Sequence, residues 1–506
     1  MSAPRRLGIF TPATARGGSE EFVIAVARRA SAVYSNVSVY LPDVAGVGSV
    51  REDLAAAGIP VGTLDVPYAP PFSEPGHIAA FETAWRILDR ERFDDLLIVL
   101  PGIEFGGPLI DAAASFDQPT VVLYQLAGYD HYLSSVERQF YTWARRRRQT
   151  WLTVSADNRD RLCRNLGWDR SAIEVFPNGR LHEVTPLSAQ QIHASKLALR
   201  AELGVPANAK ICLTVARLDP QKGVNRLLDA AAIASLEQPS LHFVWAGDGR
   251  LDAEARAGVT ARGLEGRVHL LGRRRDVGTL LRAADLYTLP SHFEGRPFAV
   301  MEAMTSGLPC VLSDIGPHRD LAAGGAAALV DADDAPAYAA LLCSVATDER
   351  RAQALRRAAS VAATAFSADD YYRTLFARLT SAADTERPAL EHWPLLQAQT
   401  RERVAIFGTG EGGRRALEEL RPLADVTTFV DGREHHGEQT FAGRPVVSPV
   451  SLNACTVDRI VLASCWYGSM RTQLIGAGLP DDRIDIFPQW RLGLPRQDQR
   501  RRRTAA

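Results

Sequence analysis

Apolar residues arrive along the chain in two rhythms. Short runs rich in β-branched and aliphatic side chains, LGIFTP (7–12), VSVYLP (37–42), DLLIVLP (95–101), TVVLYQ (120–125) and TWLTVS (150–155), read as buried strands. Between them lie alanine-rich stretches whose apolar positions recur at helical spacing. This alternation predicts βα units around parallel sheets, an α/β fold, and excludes an all-β chain or a helical bundle. The rhythm breaks twice. Residues 181–208 are polar and close on the loop-like GVPANAK, after which KICLTVARL opens a second strand–helix series. Residues 383–400, ADTERPALEHWPLLQAQT, carry two prolines and no clear period, and RVAIFGTGEGG then opens a third unit. The predicted organisation is a first domain at 1–180, a second at 181–382, a linker at 383–400, a small module at 401–490 and a basic disordered tail at 491–506.

Composition narrows the function. A length of 506 residues suits three domains, and a 23% share of charged residues against 46% hydrophobic excludes a disordered or fibrous chain. Fifty-eight basic residues against 59 acidic leave a net charge of −1, without the overall positive field that nucleic-acid binding uses. No apolar run reaches the ~18 residues of a membrane span, and MSAPRRLGIFTPATARGG has no apolar signal core. A cytoplasmic location is the expectation. Arg145–Arg148, following Phe140, Tyr141 and Trp143, could touch the inner face of a membrane that presents a lipid-linked acceptor; a solvated helix end accounts for the same run. Six scattered cysteines with no Cys-x-x-Cys pair read as core thiols. Only three lysines occur, Lys196, Lys210 and Lys222, so chemistry that needs one has three candidates.

Two segments carry the chemistry. In TVARLDPQKGVNRLLDAAAIA (214–234), Arg217 and Lys222 follow a strand and precede a helix N-terminus. Two cations beside free N–H groups and a positive dipole end favour a diphosphate, although a solvated loop would carry the same pair. In ADLYTLPSHFEGRPFAVMEAMTSGLPCVLSD (284–314), Glu294 precedes a helix that holds Glu302. Carboxylates only accept hydrogen bonds, so two of them eight residues apart can grip two hydroxylated parts of one ligand; a surface glutamate and a first-turn glutamate are the plainer reading. DADD (331–334) has a metal-binding spacing but reads as a turn into the next helix, and no metal is expected.

VARLDPQKG, WAGDGR (245–250), LLGRRRDVGTLLRAADLYTLPS (270–291) and EGRPFAVMEAMTSGLP together resemble, in order and spacing, the donor half of the retaining glycosyltransferases of family 4. The likeness covers roughly residues 1–380 and is strongest over 210–335. It implies a GT-B fold, two Rossmann-like domains facing a cleft, with a nucleotide diphosphate sugar as donor. By that resemblance Arg217 and Lys222 bind the diphosphate, Glu294 contacts the transferred sugar and Glu302 the ribose. The backbone amides of Gly295, Arg296 and Phe298 approach the donor, whereas Pro297 has no N–H to give. TPATARGGSEEF (11–22) resembles the glycine loop at which Gly17 and Gly18 let the backbone approach donor and acceptor. The run 154–179 resembles the approach to the hinge at Asn178 and Gly179. Many relatives end the TVVLYQ strand with histidine; here Gln125 stands there, with Asp130 and His131 beyond, and Gln125 and His131 are the acceptor-side candidates.

The third unit has Gly408, Gly410 and Gly413 at G-x-G-x-x-G spacing after a strand, then a helix, then a strand ending at Asp431. It resembles the small Rossmann-like modules of polysaccharide-biosynthesis proteins, some of which bind a nucleotide or nucleotide sugar. With no lysine after Lys222 it lacks the Tyr/Lys pair of short-chain dehydrogenases, so binding or assembly is expected of it. The expected activity is transfer of a sugar from a nucleotide diphosphate sugar to a saccharide or lipid-linked hydroxyl, with retention and without a required cofactor. The alternatives are a non-catalytic nucleotide-sugar-binding or scaffolding subunit and an NAD-dependent oxidoreductase led by the third unit.

Overall fold

The computed structural model describes residues 5–64, 76–103, 105–116, 118–128, 133, 135–181, 188–384, 402–421, 424–432, 439–452, 456–463, 467–480 and 483–486. The first sheet contains β1 (Arg6–Phe10), β2 (Asn36–Leu41), β3 (Val61–Thr63), β4 (Asp95–Leu100), β5 (Thr120–Tyr124), β6 (Gln149–Thr153) and β7 (Glu174–Val175). All pairs are parallel, in the order β3-β2-β1-β4-β5-β6-β7. The five strands predicted here form as β1, β2, β4, β5 and β6. The short β3 and β7 lie at the two edges, where so few residues leave no apolar run to read.

The second sheet, also parallel, contains β8 (Lys210–Val215), β9 (Leu241–Ala246), β10 (Val268–Leu270), β11 (Leu286–Leu289), β12 (Cys310–Ser313) and β13 (Ala328–Val330), in the order β10-β9-β8-β11-β12-β13. Alternate residues of β8 serve opposite faces: Ile211 and Leu213 enter one core and Cys212 the other. The third sheet contains β14 (Arg403–Phe407), β15 (Asp425–Val430), β16 (Gln439–Phe441), β17 (Arg444–Val447), β18 (Arg459–Leu462) and β19 (Ile484–Ile486). Its order is β16-β17-β15-β14-β18-β19, and only β16 and β17 run antiparallel.

Each sheet has one place where successive connections turn to the opposite side: between β1 and β4, between β8 and β11, and between β14 and β18. Carboxyl ends of strands splay apart there and leave a crevice in which open α/β sheets hold ligands. The loops after β1, β8 and β14 are those that carry Gly17, Arg217 with Lys222, and Gly408.

The polar 181–208 segment contains a helix, Ala189–Leu203, whose Ser188 and Gln191 form a reciprocal capping box. It holds to the second domain through Asp285, which receives Lys196 at 2.8 Å and Arg200 at 2.6 Å. The helix Ala368–Asp384 goes the other way: Tyr371, Tyr372, Leu375, Phe376 and Leu379 pack with Leu7, Phe22, Val39 and Leu123 in the first domain's core. The chain therefore crosses between domains twice, and the crossings lie side by side. Arg180 N donates to Phe366 O at 2.8 Å, Tyr371 Oη to Asn178 Oδ1 at 3.3 Å and Tyr372 Oη to Leu181 O at 3.3 Å.

Cys163, Cys212 and Cys310 are buried free thiols and Cys343 is a half-buried one; Cys455 and Cys465 lie outside the described residues. The Arg145 guanidinium sits over the Trp168 ring at 5.0 Å and Arg147 Nε reaches Ala114 O at 3.4 Å, so the 145–148 run is partly drawn into the fold. Among the described residues no helix is long and apolar enough to cross a membrane.

Candidate active site

Five backbone segments converge where the two front sheets face each other. From the second domain come the loops after β8 and β11, and from the first come the loops after β1 and β5 and the run into the hinge.

After β8 the chain passes Arg217 and makes a short turn, Pro220–Lys222, capped by Asp219. Gly223 then starts the helix Val224–Glu237 in a left-handed conformation, φ +69°, and a Cβ there would fall 2.1 Å from Pro290 O. Only glycine suits that junction, which presses the Lys222 turn against the loop after β11. The helix has no side-chain cap, so its first N–H groups stay open. Lys222 Nζ donates to Glu294 Oε1 at 2.6 Å, and Ser291 Oγ donates to the same oxygen at 2.7 Å. Glu294 is 5% exposed, yet among the described residues its Oε2 accepts no hydrogen bond. The guanidinium of Arg217, half-buried in the cleft, has no hydrogen-bond or ion-pair partner among the described residues. An unpaired guanidinium, an ammonium with donors to spare and an uncapped helix end together make a polyanion site.

The loop after β11 explains the role of Gly295. A Cβ on it would lie 1.9 Å from the backbone oxygen of Gln125, across the cleft at the end of β5. Arg296 turns its side chain toward the hinge: Nε donates to Asn178 O at 3.1 Å and the guanidinium lies over Phe366 at 5.4 Å, bracing both crossings. Burial lowers its pKa, against the pull of Asp320. Pro297 caps the helix Phe298–Thr305 without a side-chain bond, which leaves the first-turn N–H groups open. The Phe298 ring stacks on Phe22 of the first domain at 6.2 Å. Glu302 lies on that helix; burial, with a smaller push from Glu21, drives its carboxyl up to about 7, and no protein group hydrogen-bonds it among the described residues.

On the opposite wall, Gly17 precedes the helix Gly18–Ala30, and a Cβ on Gly17 would stand 3.3 Å from both Arg217 Nε and Glu20 Oε2. A Cβ on Gly18 would touch Phe298 at 3.4 Å. The glycines thus let the first domain's backbone come within side-chain reach of Arg217 and Phe298. Gln125 is 8% exposed; its Oε1 accepts from Asn178 Nδ2 at 2.8 Å while its Nε2 is buried without a partner among the described residues. His131 lies outside the described residues, as does Asp130.

Three neighbours of these residues escaped the sequence reading. Ser291 holds Glu294. Glu20 is 2% exposed, and burial pushes its carboxyl up against the pull of Ser19 and Arg217. His318, fully buried, feels the charges of both Glu294 and Lys222. Only the Ser-His-Phe-Glu run hinted at Ser291; the other two give no local sign. DADD makes the expected turn: Asp333 pairs with Arg226, Asp334 Oδ1 accepts from Ala337 N at 3.0 Å and Asp331 Oδ1 from Asp333 N at 3.0 Å.

In the third module Gly408 has φ +128°, Gly410 starts the uncapped helix Glu411–Leu420, and a Cβ on Gly413 would lie 2.0 Å from Gly408 O. The spacing thus closes the helix onto the strand as in dinucleotide-binding turns. Asp431, buried at the end of β15, accepts a hydrogen bond from Thr409 of the glycine loop after β14.

Known proteins resemble this chain over both of its first two domains. Residues 15–179 match the family described as glycosyl transferase 4-like domain, and residues 195–361 match glycosyl transferases group 1. A UDP-Gal:alpha-D-GlcNAc-diphosphoundecaprenol alpha-1,3-galactosyltransferase of Escherichia coli is 34% identical over 174 residues, 33% of this chain and 44% of the relative. A D-inositol 3-phosphate glycosyltransferase of Thermobispora bispora is 31% identical over 222 residues, 39% and 50%. The matches thus span half or less of these curated relatives. Among solved structures, Anabaena HepE in complex with UDP and glucose superimposes with a TM-score of 0.60 at 22% identity, covering 74% of this chain and 100% of that one. A glycosyltransferase from Rickettsia africae gives 0.62 at 15% identity, covering 76% and 99%.

Proposed function

The chain belongs to the GT-B glycosyltransferases over residues 15–179 and 195–361, and from this we propose that it moves a sugar from a nucleoside diphosphate sugar to a hydroxyl acceptor with retention of configuration, in polysaccharide, glycolipid or other glycoconjugate synthesis. One observation carries the reading: unpartnered Arg217 and the Lys222–Glu294 pair meet at the carboxyl ends of β8 and β11. Arg217, Lys222 and the open helix ends stabilise the charge that builds on the leaving diphosphate. Glu294 holds a hydroxyl of the transferred sugar through Oε2 and lies where positive character at the anomeric carbon is stabilised. The open amides near Gly295 and Phe298 approach the same sugar and phosphates. Attack comes from the face the diphosphate leaves, whose oxygen takes the acceptor's proton. Gln125 Nε2 donates to an oxygen on the acceptor side. Closure of the cleft excludes water.

Glu302 would hold the ribose hydroxyls, which it does best as a carboxylate, with both oxygens accepting. With its carboxyl at about 7, binding costs no proton above that pH and releases one below it. Nucleotide affinity is therefore expected to be flat above pH 7 and to weaken by up to about tenfold per unit below it. Calorimetric titration with UDP and GDP from pH 5.5 to 8.5 checks this, and Glu302→Gln should flatten the profile.

The third module is proposed to bind a nucleotide or nucleotide sugar without catalysing. A thermal-shift series on the intact protein with UDP, GDP, ADP, dTDP, their sugar conjugates and NAD separates the readings. A donor for the cleft stabilises the wild type and Asp431→Ala but not Arg217→Ala; a ligand of the third module shows the reverse. Binding in the cleft without any transfer or donor hydrolysis would favour the scaffolding subunit.

A further inference from the structure

His318 lies beside the cleft residues but has been given no role above. It sits on the short helix Gly316–Leu321 after β12 and is fully buried. Its Nδ1 lies 2.9 Å from the backbone oxygen of Ser313 and 3.2 Å from that residue's hydroxyl. A carbonyl can only accept, so Nδ1 carries the ring proton and donates it. The Ser313 hydroxyl donates to Ser291 O at 2.7 Å, and Ser291 Oγ donates to Glu294 Oε1 at 2.7 Å. A continuous run thus leads from the imidazole to the carboxylate that Lys222 also holds. The other nitrogen, Nε2, is then a bare lone pair, buried and without a hydrogen-bond partner among the described residues.

We propose that His318 is a positioning residue for Glu294: as a neutral ring protonated on Nδ1, it locks Ser313 to Ser291 and so fixes Oε1 on the protein and Oε2 toward the donor sugar. The inference rests on the donor-site reading. Neutrality is part of the role. A cationic ring would compete with Lys222 for Glu294 and slacken the pair that the diphosphate must meet. Two charged groups reach the ring in opposite senses, Glu294 from the loop after β11 favouring the proton and Lys222 from the turn after β8 opposing it. Burial outweighs both and pushes the imidazole down to about 4.

The test has two arms on the intact protein. Nitrogen-15 NMR of histidine-labelled protein, with the His318 resonances identified by their loss in His318→Asn, should show a neutral Nδ1–H ring from pH 5.5 to 8. A protonated ring or the Nε2–H tautomer in that range overturns the proposal. The second arm compares binding of UDP and UDP-glucose. His318→Leu fills the volume without a donor and should lose the affinity that the glucose adds, tenfold or more, while UDP binds as before. His318→Asn, whose amide can donate where Nδ1 does, should restore it. Equal losses for both ligands, or none, would make the ring a core filler. If the unaltered protein binds neither probe, the donor-site reading fails in its uridine form, and the NMR arm decides on His318 alone.

Discussion

Lys222→Ala is expected to leave almost no transfer activity, with kcat/KM for a sugar nucleotide down by about 10²–10³-fold, the scale on which positioned charge acts on a developing anion. The same change should lower stability. Glu294 is 5% exposed and Lys222 15%, so removing the ammonium leaves a nearly buried carboxylate with only the Ser291 hydroxyl, at a cost of about 3–5 kcal/mol. The two effects separate in the double variant Lys222→Met/Glu294→Gln, which removes both charges. Its thermal midpoint should recover most of the loss while transfer stays absent. A Lys222→Ala protein that turns over at the wild-type rate would remove the diphosphate site from this cleft.

Gly295→Ala tests closure instead of charge. The new methyl would fall 1.9 Å from Gln125 O and 3.0 Å from Val154 Cγ2, and a backbone oxygen at the end of a buried strand cannot move aside as a flexible side chain would. Relief comes from holding the domains slightly apart, at a cost of about 1–3 kcal/mol. Transfer should fall by about 10–100-fold. Nucleotide affinity should hold, because Arg217, Lys222 and Glu302 stand on the second domain, and the melting temperature should change little. Steady-state kinetics beside UDP titration and small-angle scattering would read all three. Wild-type turnover would mean that the cleft works more open than the structure has it.

The legible parts of this molecule were those written locally. Alternating apolar runs announced β1, β2, β4, β5 and β6, and the Arg217, Lys222, Glu294 and Glu302 pattern drew attention to the residues that line the cleft. Pairings between distant segments were hidden. Lys222 and Glu294 are 72 residues apart, and nothing in either segment tells that the ammonium rests on the carboxylate. His318 gave no sign because its role depends on Ser313, Ser291 and the sheet that aligns them. Helix Ala189–Leu203 read as a polar connection because few of its side chains are buried, Leu199 and Arg200 among them, although Ser188 and Gln191 already had capping-box spacing. Arg296 stood inside the donor motif, yet its side chain serves the hinge.

The return of helix Ala368–Asp384 to the first domain bears on how the protein is made. Seven side chains of this helix, from Ala368 to Ala382, complete a core whose remaining buried members precede residue 182, so about two hundred residues of the second domain must leave the ribosome before that core can close. At roughly 5–20 residues per second the delay is on the order of ten to forty seconds. During it Leu7, Phe22 and Val39 lie under an unfinished surface, while the second domain can assemble around its own sheet. A newborn chain would therefore settle its second domain first, and a message cut short after residue 360 would release a first domain with an open apolar flank for chaperones and proteases to find.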